Sequence, residues 1–571
     1  MRGEPVSNGI SHGVAFLMDT EIKIINRSIT ADQIAQEIVR FREGRDAAAI
    51  ELQKLIEKVK TEIGDDKADI FEGHLEILTS EDLDAEIVEI INEQKISAEE
   101  AARIFAESNA REMEELDDPY FRERGQDFRD IGRQLIQEIS GTGNQTIDLP
   151  EDAVVVSNEL SPSQTAALNL SRVRGFIFHK GGINCHAAII ARSLEVPAVI
   201  LRDTDLFNAI KDGDSIYMDG FTGEIWISPD EAVINELKVK ERKNQQDQNE
   251  LLKLIDLPSE TLDHRKIGLY ANVGGLHDIQ SAKKYRADGI GLFRTEFLFM
   301  ETMSCPDATR QADVYRSAIE AMNGQPVLIR LLDTGADKPL PYWSLPPEDN
   351  PFLGIRGIRL LFEKEDVLRT QIRAFLAAST AGPVGMMIPM VAALRSIHQV
   401  KALIEEEKAA LNRKGPDTIR LGVMIETPAA VQLIDEILDI VDFISIGTND
   451  LTQYLLAADR GNSSMHSYYD EFHPAVFRSI AHVIRHAKKK EKLNGICGEL
   501  AGKILAVPFF TGLGVDELSI NPSQIPEIKH LIRHIDAREA GMLVDEVLRI
   551  PTSEGIRARL TRFLTEKALM K

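Results

Sequence analysis

Residues 421–450 read LGVMIETPAAVQLIDEILDIVDFISIGTND, and this stretch decides the fold. Two short apolar runs, Leu421–Ile425 and Phe443–Ile446, flank a segment whose apolar residues have helical spacing. Strands that are apolar along their whole length are typical of a parallel sheet that helices cover on both faces. Glu426 comes directly after the first run, and Asn449 and Asp450 follow shortly after the second. The stretch therefore predicts a strand–helix–strand unit with polar groups at the carboxyl ends of its strands.

The same unit repeats through residues 259–571. The apolar runs are Ile267–Val273, Gly289–Phe293, Val327–Leu332, Met386–Met390, Leu421–Ile425, Phe443–Ile446, Gly495–Cys497 and Leu518–Ile520. Eight strand–helix repeats over about 300 residues predict a (β/α)8 TIM-type barrel. Because functional groups of such barrels gather at the carboxyl ends of the strands, we expect the site there.

The region before the barrel predicts a multidomain α/β chain. Residues 1–30 and 143–230 contain short strand-like runs and turns, and together predict one compact α/β domain. Residues 31–142 are charged and contain one proline, which predicts a helical bundle inserted into that domain. Residues 231–258 are rich in charge and predict a helical linker to the barrel.

Two local patterns support the helical insert. Apolar residues with the 3–4–7 spacing of a long amphipathic helix run through its first part: Ile34, Ile38, Phe41, Ala48, Leu52, Leu55 and Val59. Phe128, Ile131 and Leu135 repeat the spacing near its end, and Ser97 with Glu100 predicts a capping box.

Composition narrows the partners and the compartment. The chain has 66 Lys and Arg against 91 Asp and Glu, a formal charge of −25, which argues against nucleic acid or an anionic membrane. A basic protein partner fits this balance, and so does a charge that serves solubility alone. Cys185, Cys305 and Cys497 are scattered without a CxxC pair, which excludes a disulfide framework and favours a reducing compartment. With no apolar signal core or membrane-spanning stretch, we expect a cytoplasmic protein without membrane insertion.

Charged and polar residues follow the barrel strands in the predicted positions. These residues are Arg294, Arg330, Glu426, Asn449, Asp450, Arg460 and Cys497. Any one arginine or glutamate could be a surface ion pair, but several on one rim predict a site for an anion. Two carboxylates, Glu426 and Asp450, suit a hard cation such as Mg²⁺, while arginines grip phosphate. Cys497 is either a buried structural cysteine or a proton donor or acceptor.

A second candidate site lies in GGINCHAAIIARSLEVPAVI, residues 181–200. Gly181 and Gly182 allow a tight turn, and AAIIARSL predicts a helix. His186 would then lie near a helix N-terminus, where free amides favour a phosphate. A neutral imidazole nitrogen is a competent phosphoryl acceptor, although a histidine after Gly-Gly can also be structural.

The chain resembles enzyme I of the bacterial phosphoenolpyruvate:sugar phosphotransferase system. The stretches that carry the resemblance are KADIFEGHLEIL, DFRDIGRQL, GGINCHAAIIARSLEVPA, GIGLFRTEFLFM, DNPFLGIRGIR, GVMIETPAA, DFISIGTNDLTQYLLAADRGN and GICGELAG. They run nearly end to end. The resemblance implies transfer of the phosphoryl group of phosphoenolpyruvate to Nε2 of His186, and then to a histidine of the small carrier protein HPr.

The resemblance also implies roles for particular residues. The positions that match the family's phosphoenolpyruvate-binding residues are Arg294, Arg330, Asn449, Asp450 and Arg460, with Arg356 and Lys338 as additions. Glu426 and Asp450 match its Mg²⁺ ligands, and Cys497 matches the group that exchanges a proton with C3 of the enolate. Residues 31–142 correspond to the HPr-docking domain, with an acidic run at Glu72, Glu76, Glu81, Asp82, Asp84, Glu86 and Glu89. The family dimerises through its barrel.

Departures from the family surround the histidine more than the barrel. Asn184-Cys185 stand where it has Thr-Ser, Phe178 where it has threonine, and Ala336 where it has glycine. They favour a working but tuned acceptor, with a catalytically weakened phosphoenolpyruvate-binding regulatory protein as the alternative. Pyruvate phosphate dikinase and phosphoenolpyruvate synthase share these domains but need an ATP-binding domain, for which 571 residues leave no room.

Overall fold

The computed structural model forms two compact units, Met1–Asp247 and Gln248–Lys571. It describes residues 1–18, 28–62, 65–115, 119–141, 149–158, 160, 164, 168–180, 188, 191, 196–300, 302, 304–335, 340, 342–343, 345–346, 348–412, 419–465 and 467–570. His186, Lys338, Asn184 and Cys185 lie outside these residues, so the predictions on them are not placed.

A seven-stranded mixed sheet forms the α/β part of the first unit, in the order β1-β5-β4-β3-β2-β6-β7. Its strands are β1 Glu4–Ser7, β2 Ile10–Leu17, β3 Ala153–Ser157, β4 Val173–Phe178, β5 Ala198–Ile200, β6 Ser215–Asp219 and β7 Glu224–Ile227. β2, β3, β4 and β5 pair in parallel, while β1, β6 and β7 are antiparallel to their neighbours. The N-terminal strands thus share one sheet with strands from beyond the helical segment.

The helices α1 to α5 separate β2 from β3 in the chain. Their bounds are α1 Ile34–Glu62, α2 Asp65–Leu78, α3 Glu81–Gln94, α4 Ala98–Glu115 and α5 Pro119–Ile139. Their apolar faces meet around Phe41, Leu52, Ile87 and Leu135, as the helical spacing predicts. The multidomain fold class with an inserted bundle is confirmed, whereas the exact domain bounds stay predictions.

The capping box at the start of α4 is only half formed. Ser97 Oγ accepts a hydrogen bond from the Glu100 N–H at 3.4 Å, as predicted. The Glu100 carboxylate instead accepts from Arg103 at 2.6 Å. A charged donor one turn along the helix competes successfully with the backbone amide, because a charge-assisted hydrogen bond is the stronger of the two.

Phe178 is a core residue at the end of β4. Its side chain is 1% exposed and stacks on Phe176 with ring centroids 5.7 Å apart. A threonine there would leave a cavity that costs about 3 kcal/mol or more. The departure from the family at this position is therefore part of the packing of the sheet, which qualifies the prediction that it tunes the histidine.

Among the described residues of this unit, two further α-helices follow, α6 Thr204–Asn208 and α7 Glu231–Leu252. The second covers most of the predicted linker.

The second unit contains a closed barrel of eight parallel strands. They are β8 Gly268–Val273, β9 Ile290–Phe293, β10 Val327–Arg330, β11 Val384–Ile388, β12 Ile419–Ile425, β13 Phe443–Gly447, β14 Leu493–Cys497 and β15 Glu517–Ile520. Each predicted apolar run coincides with one strand, which confirms the TIM-type barrel. The fourth strand of the barrel, β11, begins two residues earlier than predicted and ends before Met390, which has a φ of 54°. Its backbone N–H donates to Glu426 rather than to a neighbouring strand.

Helices surround the barrel. They are α8 Leu276–Lys284, α9 Glu296–Met300, α10 Ala308–Ala321, α11 Ile358–Glu363, α12 Glu365–Ala378, α13 Leu394–Ala410, α14 Pro428–Gln432, α15 Ile434–Ile440, α16 Thr448–Leu456, α17 Pro474–Lys489, α18 Val507–Leu513, α19 Ile525–Arg533, α20 Ala537–Val547 and α21 Ser553–Glu566. Across the parts of the chain that the structure describes, no helix has both the length and the apolar character needed to cross a bilayer.

Glu517 lies at the amino end of the barrel, where its carboxyl group packs over Gly495. Burial, with a smaller contribution from the charge of Asp516, raises the pKa of Glu517 to about 8. The folded state therefore binds this proton more tightly than the unfolded state, whose pKa is near 4.3. The resulting stabilisation is complete below about pH 4.3 and is lost as the pH rises through 8.

Replacing Glu517 with glutamine should remove this pH dependence. At pH 9 we expect the free energy of unfolding of Glu517→Gln to exceed that of the wild type by about 2 kcal/mol, allowing for solvent near the group. At pH 4 the two proteins should be equal. Urea denaturation at both pH values measures the difference, and an equal change at both would show that only packing was altered.

Candidate active site

The barrel brings the predicted rim residues to one end of its sheet. Arg294 follows β9 directly, Arg330 ends β10, Glu426 follows β12 and Cys497 ends β14. Asn449 and Asp450 lie in the first turn of α16, immediately after β13. Because parallel strands share their carboxyl edge, residues more than 200 positions apart in sequence reach the same rim.

Arg330 is fixed by two carboxylates. Its Nη2 donates to Glu296 Oε1 at 2.9 Å, and its Nη1 lies 3.0 Å from Asp333 Oδ2. Burial disfavours the guanidinium charge, yet Glu296 and Asp333 together outweigh burial and raise the pKa of Arg330. The cation is therefore permanent and held in one orientation.

Arg294 is the opposite case. Its guanidinium makes no hydrogen bond or ion pair with any other described residue, although its backbone N–H donates to Val273. Burial, with repulsion from Arg330 next in size, lowers the pKa of Arg294. The negative charge of Glu296 offsets this effect only in part, so the cation remains costly, and an anion bound beside it would relieve that cost.

Glu426 is fully buried at the centre of the rim. Its Oε1 accepts a hydrogen bond from the Met390 N–H at 2.5 Å, whereas Oε2 has no partner among the residues described. Burial, followed by the negative charges of Asp450 and Asp333, raises the pKa of Glu426 well above its usual range. These carboxylates repel one another unless a cation lies between them.

Asp450 and Asn449 connect α16 to neighbouring loops. Asp450 Oδ1 lies 3.2 Å from Arg460 Nη2 and 3.7 Å from Arg356 Nη1. Asn449 Oδ1 accepts a hydrogen bond from the Glu499 N–H at 2.9 Å. Arg356 is itself fully buried and paired with Asp333 at 3.0 Å.

Cys497 lies inside the barrel among apolar side chains that include Leu292, Met424 and Phe443. Its Sγ donates to the Ile446 carbonyl at 3.4 Å. Burial raises the pKa of Cys497 to about 11, so the thiol keeps its proton at neutral pH. A protonated thiol can donate a proton but is a poor nucleophile. Before the reaction begins, Cys497 can therefore act as a proton donor and not as a proton acceptor.

The rim residues fit a hard divalent cation. Glu426 Oε2 and Asp450 Oδ1 are buried carboxylate oxygens without an aligned hydrogen bond within the described residues. Four arginines (Arg294, Arg330, Arg356, Arg460) balance four carboxylates (Glu296, Asp333, Glu426, Asp450). A divalent cation would leave two positive charges for an anionic substrate. No three His, Cys, Asp or Glu side chains already converge on one point in the described part of the chain, so substrate or water would complete the coordination.

Sequence reasoning missed four contributors to this rim: Glu296, Asp333, Phe352 and Tyr454. Glu296 follows Arg294 by two residues and Asp333 follows Arg330 by three, so both stand close to predicted residues. Their proximity in sequence was a usable signal. Phe352 and Tyr454 had no such signal in the sequence, because an aromatic residue in a loop or helix is usually part of the core.

Some acids of the predicted docking run already accept hydrogen bonds from other residues of the bundle. Asp84 accepts from Arg42 at 2.8 Å and from Arg45 at 2.6 Å, and Glu86 accepts from Asn109 at 3.3 Å. Of the acids whose side chains are described, Glu76, Asp82 and Glu89 remain exposed. A partner that reads this face would therefore meet fewer charges than the sequence suggests.

A TIM-type barrel whose strand ends present arginines beside paired carboxylates is chemically suited to bind a small phosphorylated or carboxylated anion. Comparison with known families identifies it further. Three family profiles match: "PEP-utilising enzyme, N-terminal" over residues 2–124, "PEP-utilising enzyme, mobile domain" over 149–223, and "PEP-utilising enzyme, PEP-binding domain" over 248–537. Enzymes of this family work with a metal ion.

Relatives match along almost the whole chain. The phosphoenolpyruvate-protein phosphotransferase of Haemophilus influenzae is 40% identical over 568 residues, covering 99% of each chain. That of Staphylococcus carnosus is 37% identical and covers 97% of each. A solution structure titled as Enzyme I is 34% identical, with a TM-score of 0.38, and covers 43% of this chain and 99% of that one. The chain therefore belongs to the phosphoenolpyruvate-protein phosphotransferases, and its substrate is phosphoenolpyruvate.

Proposed function

We propose that the chain transfers the phosphoryl group of phosphoenolpyruvate to Nε2 of its own His186, with release of pyruvate, and then to a histidine of the carrier HPr. This would be the first step of the sugar phosphotransferase system. One observation carries the barrel half of the proposal: the Arg294 guanidinium makes no hydrogen bond or ion pair with another described residue, although it lies beside the cation of Arg330. It supports a substrate that brings its own negative charge.

The residues divide the chemistry between them. Arg294, Arg330 and Arg460 would bind the phosphate and carboxylate of the substrate, and Asn449 would orient it. Mg²⁺, held by Glu426 and Asp450, would neutralise charge on the phosphate and carboxylate oxygens. The bond between phosphorus and the enol oxygen breaks as the bond to His186 Nε2 forms, which leaves the enolate of pyruvate.

Cys497 would complete the reaction. Its thiol gives a proton to C3 of the enolate, which forms pyruvate, and the thiolate then regains a proton from solvent. The raised pKa of Cys497 keeps the proton available until the more basic enolate carbon is generated.

Labelled phosphoenolpyruvate tests the proposal directly. With Mg²⁺ we expect acid-labile label on the chain, which HPr then removes. Acid-stable label would indicate a residue other than histidine. Label that appears but never passes to HPr would favour the weakened regulatory protein over the enzyme proposed.

Replacing Cys497 with alanine should slow turnover by about 10²–10⁴-fold, because protonation of the enolate loses its positioned donor. Binding of phosphoenolpyruvate should stay nearly unchanged, since the arginines are intact. Steady-state kinetics and calorimetry separate the two quantities. Cys305→Ala is the control, because Cys305 is half-buried and is not among the rim residues; unchanged turnover of Cys497→Ala would return Cys497 to a structural role.

The inserted bundle would dock HPr through its exposed acids. Replacing Glu76, Asp82 and Glu89 with lysine should lower kcat/KM for HPr by about tenfold at low salt, because encounter is steered by charge. The difference should shrink as salt is added. Self-phosphorylation should not change, because the bundle supplies none of the substrate-binding residues.

The control variant makes the same change in net charge at three positions of the barrel unit. Glu320, Glu491 and Glu554 are exposed acids of the barrel unit, and their replacement by lysine should leave the HPr reaction unaffected. Equal losses in the two triple variants would show that net charge, rather than a docking surface, governs the encounter.

The proposal extends to assembly and compartment. The resemblance to enzyme I implies a homodimer through the barrel domain, and cysteines without a paired spacing favour a cytoplasmic location. Sedimentation tests the homodimer: the full chain should sediment as a dimer, whereas residues 1–258, which lack the barrel, should sediment as a monomer.

A further inference from the structure

The loop after β10 carries an aromatic ring between two rim arginines. Phe352 lies in the short 3₁₀ turn Pro351–Leu353. The centre of its ring is 5.6 Å from Arg356 Cζ and 5.8 Å from Arg460 Cζ, both within cation–π distance. One neutral side chain thus contacts two guanidinium groups that reach the rim from different strands.

The backbone of Phe352 is anchored from the opposite side of the rim. The Tyr454 hydroxyl, on α16, donates to the Phe352 carbonyl at 2.5 Å. A Cβ atom on Gly461 would be 3.7 Å from Phe352 Cε2, which places the backbone next to Arg460 against the ring. The loop after β10 and the segment after β13 are therefore joined through this residue.

The two arginines differ in what else holds them. Arg356 pairs with Asp333 at 3.0 Å and is fully buried. Arg460 keeps about a quarter of its side chain exposed, and within the described residues its guanidinium reaches one carboxylate, Asp450, at 3.2 Å. If Asp450 serves as a metal ligand, part of its charge is committed elsewhere, and its hold on Arg460 weakens.

An aromatic face solves this problem in a way that a carboxylate cannot. A carboxylate neutralises the guanidinium that it orients and competes with a phosphate for its N–H groups. A ring attracts the cation through its face and leaves the N–H donors at the edge free. We propose that Phe352 is a positioning residue that holds Arg460 in place for the substrate while leaving the charge of Arg460 available.

This inference rests on the proposed role of Arg460 in binding phosphoenolpyruvate. Phe352→Leu keeps an apolar side chain but removes the ring face. We expect KM for phosphoenolpyruvate to rise about five- to thirtyfold, the effect of losing one or two cation–π contacts, with kcat within about twofold. Phe352→Tyr keeps the ring and should restore KM.

A measurement without turnover accompanies the kinetics. Phospholactate has the phosphate and carboxylate of the substrate but no enol, so calorimetry gives its affinity directly. Phe352→Leu should weaken phospholactate binding by the same factor as KM, with and without Mg²⁺. An unchanged affinity would overturn the positioning role.

The chain offers a matched control at a second phenylalanine. The ring centre of Phe472 lies 4.5 Å from Arg557 Cζ, and Arg557 pairs with Asp470, so this cation–π contact involves none of the rim arginines. Phe472→Leu should lower Tm, because Phe472 is a core residue, and leave KM unchanged. An active Phe352→Leu enzyme with a normal KM, or one in which only kcat falls, would contradict the inference, whereas a wild type that is not labelled by phosphoenolpyruvate would contradict the proposed function instead.

Discussion

Replacing His186 with alanine should abolish labelling of the chain by phosphoenolpyruvate, a loss of more than about 10⁴-fold. An alanine has no nitrogen to form the bond to phosphorus, and the thiol of Cys497 is protonated and buried in the barrel. Binding of phosphoenolpyruvate should stay within about twofold of the wild type. The reason is that His186 belongs to the first unit, whereas Arg294, Arg330 and Arg460 belong to the second.

His179 provides the matched control in the same domain. Its Nδ1 lies 2.9 Å from the Leu201 carbonyl, and its ring stacks on Phe207 with centroids 4.9 Å apart. These are the contacts of a structural histidine. His179→Ala should therefore lower Tm but leave labelling intact, and undiminished acid-labile label in His186→Ala would refute the acceptor assignment.

The sequence predicts the barrel well because its signals are local. Each strand is a short apolar run, and several runs end beside a charged or polar residue, as Leu421–Ile425 and Glu426 illustrate. The closed barrel then places those ends together without further information. The candidate rim residues could be named for this reason, although their roles are proposals that rest on chemistry rather than on position.

The choice of partners is not local, and here sequence reasoning falls short. Arg330 pairs with Glu296 from the previous strand's loop, and Asp84 is neutralised by Arg42 and Arg45 from another helix. Neither pairing has a fixed spacing along the chain. Phe178 likewise looked like a change in the histidine's surroundings, whereas its burial in the sheet shows a packing role.

Replacing Glu426 with glutamine should lower turnover by about 10³-fold and, at the same time, stabilise the protein. Turnover falls because an amide oxygen is a weaker ligand than a carboxylate for a hard divalent cation, whose contribution is worth several kcal/mol. Stability rises because the folded protein no longer has to take up a proton or bury a charge beside Asp450 and Asp333, while the glutamine oxygen still accepts from the Met390 N–H. Without divalent cations, we expect about 1–2 kcal/mol more free energy of unfolding.

The opposite signs of the two effects separate a ligand position from an ordinary buried acid. Glu407 is equally inaccessible, but Arg373 and Arg369 donate to it at 2.6 and 2.9 Å, and those hydrogen bonds hold its pKa below the usual range. Glu407→Gln should therefore lose about 1–3 kcal/mol of stability and keep full turnover. Urea denaturation in a chelator and turnover across a Mg²⁺ titration measure both quantities. A Glu426→Gln protein that is destabilised like Glu407→Gln, or that turns over normally at low Mg²⁺, would show that the carboxylate supports the fold rather than a cation.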